Sequence, residues 1–153
     1  VLLFLHADTR LPPGYADAVR GALAPPHVTA GAFRLRIDGP GRALRAVEWG
    51  ANVRSHLLQF PYGDQALFLE NRVFEQEGGF PLLPIMEDFA LVRRLRRRGK
   101  VVPLPQAAVT SDRRWRDRGV WRVTWTNQRM VAGYYAGLSP ERLAGRYQGN
   151  GKP

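Results

Sequence analysis

The carboxylates able to do chemistry stand at three places. Asp8 follows the apolar run Leu2-Leu3-Phe4-Leu5, Asp64 lies in the loop Phe60-Pro61-Tyr62-Gly63-Asp64, and Glu87-Asp88 separates a proline-rich loop from a basic helix. A carboxylate can ligate a hard cation, accept a proton or hold a hydroxyl group. Each of these acids also has a purely local reading. Asp8 can cap the turn toward Pro12, Asp64 can form an Asx turn, and Glu87-Asp88 can simply start a helix at the positive end of its dipole. A short apolar run closed by polar residues reads as a strand buried on both faces of a parallel sheet, with Asp8 at its carboxyl end. Ligands of open α/β sheets bind along that edge, so the three acidic sites are expected to share one crevice.

The elements that must position them alternate between strand and helix through the first two-thirds of the chain, the pattern of an α/β fold. Tyr15 to Ala24 reads as a helix with Ala18, Val19 and Leu23 inward, ended by Pro25-Pro26. Val28 to Ile37 alternates, with Phe33, Leu35 and Ile37 on one face and Arg34 and Arg36 on the other, as a half-exposed strand does. A helix from Arg42 to Leu58 follows, its apolar face carried by Leu44, Val47, Ala51 and Leu58. Gln65 to Leu69 reads as a strand. Asn71 to Glu77 reads as a short helix capped by Asn71 and stopped by Gly78-Gly79. Phe89 to Arg98, opened by Glu87-Asp88, gathers its arginines at the negative dipole end before Gly99. Val101 to Leu104 and Ala107 to Thr110 read as separate β segments divided by prolines. One helix is expected over Arg118 to Leu138, and another starts at Ser139-Pro140.

At 153 residues the chain makes one domain, and 44% hydrophobic with 10% aromatic residues excludes a disordered tail. No apolar run approaches the roughly 20 residues needed to cross a bilayer. Lys and Arg number 23 against 13 Asp and Glu, a formal charge of +10 that calls for a polyanionic partner. Without cysteine, disulfides, thiolate metal sites and cysteine nucleophiles are excluded. The first residue is Val and no basic signal region precedes the apolar run, so a shortened amino terminus is expected.

In order and approximate spacing, LLFLHADTRLPPG, GAFRLRI, GDQALFLENRVFEQEGGF, IMEDFALVRRLRRRGK and SDRRW resemble the inverting family 2 glycosyltransferases of the GT-A fold. The likeness is closest to the bacterial branch named for association with radical-SAM and selenodomain proteins, and it covers Val1 to Tyr147. It implies a partial GT-A, Rossmann-like mixed sheet flanked by helices, with further helices at the carboxyl end and residues 148–153 as a disordered tail. Such enzymes begin with a βαβ half that seats the nucleoside. The chain is therefore expected to be the catalytic and acceptor half that follows one.

The resemblance also implies roles. Family members carry a DxD motif whose second acid holds a divalent metal on the donor diphosphate; here the triplet is His6-Ala7-Asp8, which makes Asp8 the ligand of Mg²⁺ or Mn²⁺. His6 takes the ribose-facing or metal-facing position, against the alternative of a packed, hydrogen-bonded histidine. Haloacid dehalogenase phosphatases use a similar strand, but their nucleophilic carboxylate would fall on His6, which cannot serve. Glu87-Asp88 matches the ED motif, with Asp88 as general base and Glu87 beside it. Gly78-Gly79-Phe80 matches the GGF segment on the acceptor side, against the alternative of a helix C-cap followed by a core Phe. Asp64 is placed to bind an acceptor hydroxyl. SDRRW resembles the QxxRW motif of processive relatives, with Ser111 in place of Gln, Arg114 directed at the diphosphate and Trp115 stacking on a sugar.

The implied activity is metal-dependent transfer, with inversion, of a sugar from a nucleotide-diphosphate donor to a sugar or lipid-linked acceptor. The implied location is cytoplasmic, peripheral at the inner face of the membrane. Arginines from Arg93 to Arg98 read as a solvated helix face. Trp115, Trp121, Trp125, Tyr134 and Tyr135 interleave with Arg116, Arg118, Arg122 and Arg129, a mixture suited either to an acidic membrane interface or to packing on the sheet. Two other classes stay open: a non-catalytic scaffold and a basic nucleic-acid-binding module. No RNA-binding or DNA-binding signature supports the latter, so nucleic acid is not the expected partner.

Overall fold

A computed structural model describes residues 1–149. The chain is mixed α/β, with a five-stranded sheet in the order β1-β4-β3-β5-β2. The strands are β1 (Leu2–Leu3), β2 (Thr9–Arg10), β3 (Val28–Asp38), β4 (Phe68–Leu69) and β5 (Lys100–Ser111). Only β3 and β5 run parallel, and the other pairings are antiparallel. The opening run is thus not the doubly buried parallel strand expected from its composition. It pairs with β4 at the sheet's edge, Leu2 and Leu3 are half-buried, and Leu5 is exposed.

β3 and β5 form the centre. The alternation expected along β3 holds from Phe33 to Asp38, but Thr29 to Phe33 are all buried, because helices cover that half of the strand. β5 is one strand, not two. Its register against β3 shifts between Ala32 and Arg34, opposite Pro103 to Ala107. An irregularity there lets Pro103 and Pro105, which lack N–H groups, sit inside a strand without ending it.

The other edge of β3 is closed in a different way. β4 pairs it only at Ala30 and Gly31, where a Cβ on residue 31 would lie 2.3 Å from the Phe68 ring. Beyond that point side chains replace a strand. Gln65 donates to the Phe33 carbonyl, Asn52 both donates to and accepts from Leu35, Glu48 accepts from the Ile37 amide, and Arg45 donates to Ile37 and Gly39 carbonyls. Arg45, Glu48 and Asn52 lie on one face of a helix, and Arg45 neutralises the buried Glu48 at 2.9 Å.

That helix is α2 (Arg42–Leu58), preceded by α1 (Tyr15–Leu23) and followed by a single 3₁₀ turn over Gly63–Gln65. Next come α3 (Asn71–Gln76), α4 (Glu87–Arg98), α5 (Arg113–Arg118), α6 (Val120–Tyr135) and α7 (Pro140–Gly149). Leu58, expected on the apolar face of α2, is exposed at its end. The strand expected over Gln65 to Leu69 shrinks to β4 because Ala66 turns with a φ of 50°. Glu70, not Asn71, occupies the cap of α3, and Asn71 instead donates to Glu75 one turn on. The long helix expected from Arg118 breaks at Gly119, whose φ of 82° separates α5 from α6. Of the expected tail, Gln148 and Gly149 continue α7, and residues 150–153 lie outside the described residues.

Three apolar clusters hold these layers together. The largest joins Leu69, Val73, Phe89, Leu91, Leu95, Val101, Met130 and Leu143, so α3, α4, α6 and α7 share one core. A second packs Val19 and Leu23 of α1 on Phe33 and Phe68. The third joins Leu35, Ile37, Leu44, Ala51, Trp115 and Val123.

Candidate functional site

The cleft lies where β1 ends, the 3₁₀ turn passes and α4 begins, beside α5, α6 and α7. It encloses about 630 Å³ and is lined by His6, Asp64, Phe80, Glu87, Asp88 and Arg114, together with Phe4, Tyr62, Phe89, Asn127, Met130 and Tyr147. Of the three acidic places expected to share a crevice, Asp64 and Glu87-Asp88 line this hollow and Asp8 does not.

One wall is built on Gln65, which is fully buried. Its side-chain oxygen accepts from the Ser55 hydroxyl at 2.8 Å, from Arg54 at 3.2 Å and from the Tyr62 amide at 3.2 Å, while its amide donates to Phe33. This network fixes the loop that carries Gly63 and Asp64. Arg54 lies 3.4 Å over the Tyr62 ring and donates to the Phe60 carbonyl. Burial lowers the pKa of Arg54 from its ordinary value, and the surrounding acidic groups partly oppose this. Burial raises the Tyr62 phenol, against the pull of Arg54.

Asp64 faces the same interior. Its Oδ1 is buried with no hydrogen-bond partner among the described residues. Burial raises its pKa above the ordinary carboxylate value and Asp88 adds to that, while Arg54, His6 and Arg114 pull the other way. A half-buried carboxyl group with one oxygen lacking a partner among the described residues, at the wall of a cleft, is prepared to bind a polar ligand group.

Asp88 sits in the first turn of α4, where Met86 turns the chain with a φ of 68°. Its Oδ2 accepts from the Gly63 amide at 2.6 Å and its Oδ1 from the Phe89 amide at 2.7 Å. A Cβ on residue 63 would lie 3.0 Å from Asp88 Oδ2 and 3.3 Å from His6 Nε2. Glycine at this position thus leaves a gap into which both groups reach. Phe80 is held by edge-to-face contact with Phe4 at 4.7 Å and with Phe74 at 5.5 Å.

The opposite wall comes from α5, α6 and α7. Arg114 donates to Asn127 at 3.1 Å and to the Tyr147 hydroxyl. These bonds are exposed, unlike those around Gln65.

Four expected residues are not in the lining. Asp8 is exposed on the turn after β1, two positions beyond His6, and its carbonyl accepts from Ser111. Gly78 and Gly79 form the C-terminal turn of α3, with φ of 72° and 68°, and bond back to Glu75 and Phe74. They aim Phe80 at the cleft from behind. Trp115 is 7% exposed, packed against Leu35, Ile37 and Val123, so its ring is core and cannot stack on a sugar.

The sequence reading missed Arg54, Gln65, Asn127 and Tyr147. A signal existed for Arg54: it is an arginine between the inward positions Ala51 and Ser55 of an amphipathic helix. Asn127 and Tyr147 carry none, because only the packing of α6 and α7 brings them in.

Among the described residues, no group of three or more His, Asp or Glu side chains converges as a ready-made cation site. The gap beside Gly63, bounded by His6 Nε2 and Asp88 Oδ2 and near the unpartnered Asp64, suits a hard divalent ion only in one mode. The protein would supply one or two donors and ligand phosphates and water the rest, as Mg²⁺ sites commonly do. Comparison with protein-family models, with curated proteins and with solved structures found no match.

Proposed function

We propose that the cleft transfers a glycosyl group, with inversion, from a nucleotide-diphosphate sugar to an acceptor hydroxyl, as the resemblance to family 2 glycosyltransferases suggests. The observation that carries this reading is the meeting of His6, Asp64, Glu87 and Asp88 in one aromatic-lined cleft of about 630 Å³. In such a transfer the acceptor oxygen bonds to the anomeric carbon as the bond to the diphosphate breaks on the opposite side. The hydroxyl proton goes to Asp88, whose two backbone hydrogen bonds hold its carboxylate in one orientation. Asp64 binds a second acceptor hydroxyl, and Phe80 and Tyr62 give the sugar ring apolar surface. Arg114, across the cleft, meets the diphosphate charge. A divalent ion held beside Gly63 by His6, with donor phosphates and water as its other ligands, would add electrostatic stabilisation of the leaving group.

The replacement Asp88→Asn keeps the size of the side chain and removes the proton acceptor. Transfer by the intact protein should fall about a thousandfold, the usual scale of a lost general base. Calorimetric binding of UDP or GDP with Mn²⁺ should persist. Unchanged turnover sinks the role given to Asp88. A non-catalytic scaffold is the second reading, favoured by the position of Asp8 outside the lining; absence of any nucleotide binding by the intact protein selects it.

A further inference from the structure

The outward face of α6 forms a surface that the cleft chemistry does not use. Trp121, Arg122, Trp125, Gln128, Arg129 and Ala132 are all exposed, at the spacing of one helical stripe. Trp121 and Trp125 are each 67% exposed, whereas Tyr135, at the end of the helix, sets its ring against Phe89. The 16 residues of α6 contain no acid and extend roughly 24 Å at 1.5 Å per residue. The opposite side of the same helix supplies Val123 and Met130 to the core, and Asn127 and Met130 to the cleft. Arg118, at the end of α5, continues the basic character. With Arg114, Arg122 and Tyr147 it surrounds a small hollow that joins the stripe to the cleft.

Large indole rings held in water across one straight face mark a surface made to be covered. The occupant is constrained by charge. A second copy of this chain would bring the same acid-free stripe and the same +10 charge, which repel. Nucleic acid would meet more arginines than rings in a groove, whereas this face is the outer side of one helix and its largest exposed groups are indoles. Indole rings interleaved with guanidinium groups match the headgroup layer of an anionic bilayer, where rings sit at the boundary and cations meet phosphates.

We infer that α6 docks the protein on an anionic membrane surface, Trp121 and Trp125 entering the headgroup layer and Arg118 and Arg129 pairing with lipid phosphates. Docked in this way, the wall of the cleft formed by Asn127 and Met130 faces away from the bilayer, about one helix diameter behind it. The surface stands whatever reaction the cleft performs.

The test is sedimentation of the intact protein with phosphatidylcholine vesicles, with or without phosphatidylglycerol. Binding should require the anionic lipid and weaken with salt. The double variant Trp121→Ser/Trp125→Ser, whose sites are exposed and whose fold is checked by circular dichroism, should bind at least about tenfold more weakly, since burial of even part of an indole contributes that much. Brominated lipid should quench the fluorescence of the parent protein but leave Trp49 and Trp115 of the variant unquenched. Equal binding by parent and variant, no preference for the anionic vesicles, or tighter and equally Trp-dependent binding to an oligonucleotide would each overturn the inference.

Discussion

The two walls of the cleft are built to different standards. The wall with Asp64 and Asp88 rests on buried and part-buried bonds: Gln65 serves four partners, Arg54 lies over Tyr62, and Asp88 is fixed by two backbone amides. The wall with Arg114, Asn127 and Tyr147 is tied by exposed side-chain contacts on three short or surface helices. Desolvated hydrogen bonds hold geometry tightly because breaking one leaves a buried group unpaired, while exposed ones exchange with water at small cost. The acids therefore stand on a rigid frame, and the basic wall can adapt to what enters. This division suits a site in which proton transfer needs fixed distances and charge neutralisation does not.

Substitutions can break or sharpen this contrast. The largest effect is expected from Gln65→Leu, which strands the Phe33 carbonyl, the Tyr62 amide and one Arg54 donor, while the Ser55 hydroxyl keeps the Ala51 carbonyl. Stability to urea should fall by about 3 kcal/mol or more, and a loss below roughly 1 kcal/mol would mean the rigid wall is not held by this residue.

Asp64→Asn should act in the opposite direction. Burial raises the carboxyl pKa, so folding favours the protonated acid. That preference supports the fold below the ordinary carboxylate pKa near roughly 4 and is lost as pH rises through the elevated value. At neutral pH the amide should raise Tm by a few degrees, and the gain should shrink on acidification. A Tm unchanged at neutral pH would show that Arg54 already compensates the charge.

The smallest effect belongs to Arg114→Ala. Stability should change by less than about 1 kcal/mol, as for other exposed pairs, while affinity for a nucleoside diphosphate drops. A large loss of stability would erase the distinction between the walls.

Local signals were enough for much of the frame. Helical spacing between Gly41 and Gln59 gives the limits of α2, and alternation from Phe33 to Asp38 gives the exposed half of β3. Where the sequence misled, a distant partner decided the outcome. Leu2 to Leu5 looks like a central parallel strand, but its pairing with Leu69 and Phe68 makes it a short antiparallel edge, which leaves Asp8 exposed on the following turn. Prolines in β5 look like breaks, yet the long register with β3 absorbs them. Trp115 looks available because its neighbours are arginines; only the packing of α5 on α2 and β3 shows it to be core. Asp64, Glu87 and Asp88 were visible as residues and as a convergence, Asp8 was wrongly included in it, and the network under Asp64 joins α2 to β3 so that no short window contains it.

The closure of β3 by Arg45, Glu48, Asn52 and Gln65 has a consequence for assembly. Unpaired strand edges recruit foreign strands and seed fibrous growth. Along this stretch the recruiting groups already have partners drawn from α2 and the neighbouring turn, so an invading strand would have to displace a whole helix. Addition to the sheet is thereby channelled to its outer strands, and the middle of the molecule is proofed against self-templated polymerisation by ordinary side chains.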